Sequence, residues 1–104
     1  MKIVAVTACP TGVAHTYMAQ EAIEVECKKR NHEIQVETQG SMGMENELEQ
    51  ETIDAADVVI LAVAIGIDGE ERFEEKAEQG KVINIEPGDA IKNVAKLIDE
   101  AEKL

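Results

Sequence analysis

The sequence predicts an α/β domain, a three-layer sandwich in which a four-stranded parallel sheet of order 2-1-3-4 carries helices on both faces. Three observations lead to that fold class. Two short unbroken apolar runs, residues 3–6 (IVAV) and 58–63 (VVILAV), have the character of strands buried on both faces. Segments with apolar residues at helical spacing alternate with the strand candidates along the whole chain. Right-handed crossovers between parallel strands then favour one order, with the two most apolar strands in the centre.

The elements follow in turn. Residues 3–6 are the first strand. From about 14 to 30 the helical spacing is Met18, Ala22 and Val25, with Ala19, Ile23 and Cys27 beside them. Lys28, Lys29 and Arg30 close this helix, where positive charge suits the C-terminal end of the dipole. Ile34 and Val36, flanked by Glu33 and Glu37, alternate as a strand near a sheet edge does. Residues 39–43 (QGSMG) read as loop and 52–56 as a short helix leading into the 58–63 strand. Gly66 and Gly69 mark a second loop, and residues 70–79 are helical, charged and stopped by Gly80. Residues 82–85 (VINI) supply the fourth strand. Pro87 and Gly88 then make a turn and Asp89 caps a last helix, whose stripe is Ile91, Val94, Ala95, Ile98 and Ala101. In this topology the chain direction reverses at the C-terminal end of the first strand, the point where open α/β sheets bind ligands. Cys9 lies there.

A chain of 104 residues fits one domain, spanning residues 1–104. With one Phe, one Tyr and no Trp in a chain that is 44% hydrophobic, the core must be aliphatic. The formal net charge of −12 repels nucleic acid and anionic lipid, so neither is an expected partner. No apolar run approaches the roughly 20 residues needed to span a bilayer, and no signal-peptide pattern opens the chain. Cys9 and Cys27 flank the first helix, roughly 20 Å apart at ~1.5 Å per residue, beyond disulfide reach. A cytoplasmic monomer with free thiols is expected, made as a separate polypeptide because it starts at Met1 and closes on a helix.

The stretch "TACPTGVAHT" carries the chemistry. A loop between a strand and a helix N-terminus presents unpaired backbone N–H groups and the positive end of the helix dipole. Gly12 allows close approach of an anion, Thr11 and Thr16 can add hydroxyl donors, and Pro10 offers no N–H. Residues Pro10, Thr11, Gly12, Val13, Ala14, His15 and Thr16 can therefore hold a phosphate-sized dianion over the Cys9 sulfur. The same donors favour the thiolate, the nucleophilic form, without a neighbouring base. Such a cysteine can hydrolyse a phosphate ester or carry a phosphoryl group. Low-molecular-weight tyrosine phosphatases place an arginine six residues after the cysteine, and here that position is His15. The two arginines are Arg30, at the far end of the helix, and Arg72. Histidine cannot supply the bidentate clamp, so carriage is favoured over hydrolysis. A regulatory or redox thiol that binds an anion at the loop is the alternative outside catalysis.

The segments "ACPTGVAHTYMAQEAI", "VETQGSMGMENEL" and "AADVVILAV" together resemble the fructose-family IIB domain of the bacterial phosphoenolpyruvate-dependent sugar phosphotransferase system, over nearly the whole chain. The resemblance implies a relay. A phosphohistidine on a IIA partner would pass its phosphoryl group to Cys9, and phospho-Cys9 would pass it to fructose or a related sugar held by a membrane IIC partner. Cys9 matches the family's phosphorylated cysteine and residues 10–16 its phosphate loop. One departure lies after the third strand, where many members continue into Ala-Asp. Here Val63, Ala64, Ile65 and Gly66 follow, and the acid is delayed to Asp68 in a loop expected near Cys9.

The remaining candidates are weighed on position. His15 either bonds a phosphoryl oxygen or caps the first helical turn. His32 is expected as a solvated turn residue at the opposite end of the sheet, and Cys27 as a buried inert thiol. Gln39, Gly40, Ser41 and Met42, with Asp68, are candidate partner-docking residues on the same edge as Cys9. No metal site and no cofactor are expected from this arrangement of cysteines and histidines. The acidic runs 45–51 and 70–75 read as solvated faces, which leaves docking to apolar or weakly charged surface around Cys9.

Overall fold

The computed structural model describes residues 1–9, 13–40 and 43–104. Its elements are β1 (Lys2–Ala8), α1 (Val13–Lys29), β2 (Glu33–Gly40), β3 (Gly43–Glu45), α2 (Gln50–Ala55), β4 (Val58–Val63), a 3₁₀ turn (Glu70–Phe73) that runs into α3 (Glu74–Glu78), β5 (Val82–Ile85), α4 (Pro87–Lys92) and α5 (Val94–Glu102). The α/β class is as the alternation predicts. The sheet itself departs from the expected one. It has five strands instead of four, is mixed instead of wholly parallel, and runs β3-β2-β1-β4-β5 in place of 2-1-3-4.

The additional strand explains the difference. β1 pairs in parallel with β2 and β4, and β4 with β5. After β2 the chain doubles back, and β3 pairs antiparallel with it, placing Gly40 opposite Gly43 and Thr38 opposite Glu45. Gly43 has φ +91°, a conformation open to glycine and costly for other residues. Three exposed residues, Gly43, Met44 and Glu45, have no apolar periodicity, so nothing in the pattern marked them as a strand. β3 covers the free edge of β2 with a three-residue strand that ends on a charge, a common protection of an edge strand.

Alternation along β1 divides the core in two. Ile3 and Ala5 face α1, α4 and α5, where they meet Ile23, Cys27 and Ile98. Val4 and Val6 face the opposite layer and meet Leu48, Ile53 and Phe73. On α1 the buried stripe is Thr16, Ala19, Ile23 and Cys27, spaced at i+3 and i+4, while Met18 and Val25 are 50% and 57% exposed. The last helical region is two helices. Asn93, at φ −124° and ψ 37°, breaks α4 from α5. Pro87 and Gly88 are the first turn of α4, not a turn before it, and Glu86 stands at the cap position expected of Asp89. A proline in the first turn needs no N–H partner and has its φ already set for a helix. Ala95 is exposed, and Ala90, Leu97, Ile98 and Ala101 form the buried stripe. The expected helix over 70–79 begins as a 3₁₀ turn that buries Phe73 and becomes α-helical only at Glu74.

Candidate functional site

β1 delivers Cys9 to the C-terminal edge of the sheet. Its last residue, Ala8, lies between Gln39 of β2 and Val63 of β4, and its C=O accepts the Ala64 N–H at 3.1 Å. Cys9 follows, half-buried, and α1 opens four residues later at Val13. His15 is exposed in the first turn of α1 and shares with Cys9 an open depression of about 360 Å³. Ala64, Pro87, Gly88 and the charged Glu86, Asp89 and Lys92 complete its rim. An anion on Cys9 thus has a helix N-terminus and one lysine nearby, and two carboxylates at the α4 side.

Pro10, Thr11 and Gly12 of the expected cradle, and Ser41 and Met42 of the expected docking loop, lie outside the described residues. Val13 and Ala14 begin α1 through their backbone. Thr16 faces the sheet and is 2% exposed. Its hydroxyl has no hydrogen-bond partner among the described residues, and the same holds for Thr7 and Thr38, which stand opposite each other in register. By parity with Ile3, Ala5 and Val36, both strand threonines point to the α1 side of the sheet. A buried polar group without a partner costs about 1–3 kcal/mol.

The other wall of the edge is held by a buried charge that sequence reasoning missed. Glu37, read as the flank of an edge strand, has no exposed surface. The segment leading to α2, through Leu48, and Arg72 close over the face to which it points. Arg72 grips its carboxylate with both terminal nitrogens, Nη1 to Oε1 at 2.7 Å and Nη2 to Oε2 at 2.9 Å. The Leu48 N–H donates to Oε1 at 2.8 Å and Gln39 Nε2 to Oε2 at 2.6 Å. Burial alone would raise the Glu37 carboxyl, and these donors more than reverse it, leaving it below the usual carboxylate range. The remaining guanidinium N–H groups donate to the carbonyls of Leu48, Gly69 and Asp68 at 2.7, 2.8 and 3.1 Å. Gly69 has φ +72°, and a Cβ there would lie 2.5 Å from Arg72 Nε. The sequence held one signal for this pair: Arg72 is the single cation in an otherwise acidic run from Glu70 to Glu75.

Gln39 and Asp68, both expected at a docking surface, are joined to each other. Gln39 Oε1 accepts the Asp68 N–H at 2.8 Å, and Gln39 Nε2 donates to the Asp68 carbonyl at 3.0 Å. The Gln39 amide is thereby engaged within the chain. Gly40 lies beside Met44, Ile65 and Gly66 in a shallow depression of about 190 Å³. On α1, the Tyr17 hydroxyl donates to Glu45 and ties β3 to the helix.

The opposite end of the sheet is structural. Cys27 is fully buried, unpaired, and pushed up to about 11 by burial. His32 is not a solvated turn residue: its Nε2 lies 2.6 Å from Glu102 and its Nδ1 3.2 Å from the Met1 amine. The reason is that α5 returns alongside the end of α1 and brings Glu102 to it. Arg30 is bound there by Glu26, Asp99 and Glu102. Neither arginine is available to Cys9. No group of three or more metal-ligating side chains occurs among the described residues, and among them no helix is long and apolar enough to cross a membrane.

Comparison with known proteins gives the arrangement its context. The family described as "PTS system, Lactose/Cellobiose specific IIB subunit" matches residues 4–100. The "PTS system fructose-like EIIB component 2" of Escherichia coli (strain K12) is 50% identical over 101 residues, covering 97% of this chain and 92% of that protein. The "Fructose-like PTS system EIIBC component" of the same strain is 46% identical over 100 residues, which is 96% of this chain and 20% of that longer protein. Among solved structures, a domain of the fructose-specific IIABC component of Borrelia burgdorferi superposes with a TM-score of 0.86 at 54% identity, covering 96% of this chain and 91% of that one. The Enzyme IIB subunit of the phosphotransferase system from Escherichia coli K12 gives 0.86 at 40% identity, over 98% and 91% of the two chains. The family match over residues 4–100 and the 50% identity over nearly the whole of both chains show that the chain belongs to the IIB family of the phosphotransferase system, which transfers phosphoryl groups in sugar uptake.

Proposed function

We propose that Cys9 is the phosphoryl carrier in this transfer, taking the group from a phosphohistidine on a IIA partner and giving it to a sugar bound by a membrane IIC partner. In the first step the Cys9 thiolate attacks phosphorus, the S–P bond forms, and the P–N bond breaks as imidazole leaves and takes up a proton. In the second, a sugar hydroxyl attacks phosphorus and loses its proton, the S–P bond breaks, and the thiolate returns. Residues 10–16 hold the phosphoryl oxygens in both steps, with His15 at the rim. The sugar is fructose or a related one, in keeping with the names of the relatives at 50% and 54% identity. The fused EIIBC relative supports the IIC partnership. We place the chain in the cytoplasm as a monomer and a single phosphocysteine domain.

The observation that carries this reading is that Cys9 sits at the helix N-terminus without an arginine. Arg30 is bound at the far end of the sheet, and every donor of Arg72 is spent on Glu37 and three carbonyls. Hydrolysis lacks its clamp. The test is incubation with labelled phosphoenolpyruvate, the general phosphotransfer proteins and a IIA protein. Label is expected on the parent chain and on Cys27→Ser, and none on Cys9→Ser. Label that persists in Cys9→Ser, or brisk multiple turnover of an aryl phosphate, would overturn the reading.

A further inference from the structure

We propose that Glu37, Arg72 and Gln39 are positioning residues for the reaction at Cys9: together they hold the loop 64–69, whose first residue, Ala64, lines the wall of its site. The inference rests on the phosphocysteine reading and deepens it.

The loop needs holding. Ala64 is fixed where its N–H meets Ala8 and it borders the Cys9 depression. Beyond it Ile65, Gly66 and Asp68 are exposed, and Gly66 contributes no side chain. Ile67 alone packs partly against the core. The polar fastening is Gln39, which grips both the N–H and the C=O of Asp68 as a neighbouring strand would. Gln39 is itself fixed by Glu37, and Glu37 by the Arg72 fork, which also reaches the carbonyls of Asp68 and Gly69. Five donors on one guanidinium, all used, leave it a single orientation.

Stability alone is a weak reason for such a cluster, since apolar residues of similar volume often stabilise as well as a buried ion pair. Its location supplies a stronger one. The cluster joins β2 to the post-β4 loop at the sheet edge that bears Cys9, and that loop starts at Ala64, on the border of the Cys9 depression. Group transfer is sensitive to such placement, a misalignment of about 1 Å costing up to about a hundredfold in rate.

Gln39→Met tests this on the full chain, because it removes the grip on Asp68 and leaves the Glu37–Arg72 pair in place. Single-turnover labelling of Cys9 from a phosphorylated IIA protein should show a maximal rate about tenfold lower, with half-saturating donor changed less than about twofold. Amide exchange at Asp68 should quicken about tenfold while the unfolding midpoint stays within about 5 °C. Arg72→Lys, which keeps the charge and loses the fork, should show the same fall in maximal rate with a larger loss of midpoint, and it carries the test if Gln39→Met fails to fold. An unchanged maximal rate overturns the inference, as does unchanged exchange at Asp68. A change confined to half-saturation also overturns it and makes Gln39 a docking residue. If the parent chain takes no label, the carrier reading falls by itself. Alkylation of Cys9 by iodoacetamide then decides: a rate altered at least about threefold in Gln39→Met upholds the wall at Cys9, and an equal rate refutes it.

Discussion

Replacing Arg72 by methionine would leave Glu37 with no exposed surface and two neutral donors, the Leu48 N–H and the Gln39 amide. Removing one partner of a buried ion pair costs about 3–5 kcal/mol, because the remaining charge stays desolvated. Little discount for solvent screening applies, since the two side chains are 13% and 0% exposed. Against a total of about 5–15 kcal/mol for a domain of this size, the midpoint should fall by about 12 °C or more. The pH dependence has a definite sign. In the parent the Glu37 carboxyl is depressed, so its contribution is full above the ordinary value of about 4.3 and is lost as pH falls through the folded value. In Arg72→Met burial prevails and the carboxyl is raised, so the penalty grows with rising pH and shrinks on acidification. The difference in midpoint between parent and variant should therefore narrow from pH 7.5 to pH 4.5, followed by circular dichroism. The double variant Glu37→Leu/Arg72→Met should recover most of the loss. A loss under about 1 kcal/mol at pH 7.5, or one that widens on acidification, would refute the reasoning.

Other outcomes follow from burial. In the native chain at pH 8, iodoacetamide should modify Cys9 and spare Cys27, whose thiol burial raises to about 11; peptide mass spectrometry locates the label, and equal modification of both would contradict the packing of α1. A raised thiol contributes stability that is full below its ordinary value of about 8.5 and is lost as pH rises through about 11. Ile23→Ala should cost about 2–5 kcal/mol in urea unfolding. Val25→Gln, two positions along the same helix and 57% exposed, should stay within about 0.5 kcal/mol, and a reversal of the two would show that the wrong stripe faces the sheet.

The legible part of the fold was the part written in periodicity. The runs at 3–6 and 58–63 appear as β1 and β4, each flanked by parallel neighbours, because strands buried on both faces admit little but apolar residues. On α1 the helical spacing puts Met18, Ala22 and Val25 first and Ala19, Ile23 and Cys27 beside them, whereas Met18 and Val25 are exposed. The sheet turns Ala19, Ile23 and Cys27 toward itself. β3 was hidden since its pairing rests on a glycine conformation and backbone hydrogen bonds, neither of which leaves an apolar pattern. At the site, the placement of Cys9 and His15 followed from a strand ending before a helix. The role of Glu37 did not. Its burial depends on Leu48 and on Arg72, 35 residues away, and a pattern read along one strand cannot contain a partner from elsewhere in the chain.

The contact of the Arg72 guanidinium with Gly69 widens what counts as the ion pair. An added methyl group at Gly69 would occupy the space of Arg72 Nε, and the guanidinium has no slack in which to retreat. The buried charge is thus a property of three positions, one of them uncharged, half-buried, and without a side chain. Across related chains, residues 37, 69 and 72 should change together or not at all. Where the glutamate and arginine have already been lost, an exchange at the glycine meets only the cost of its positive φ.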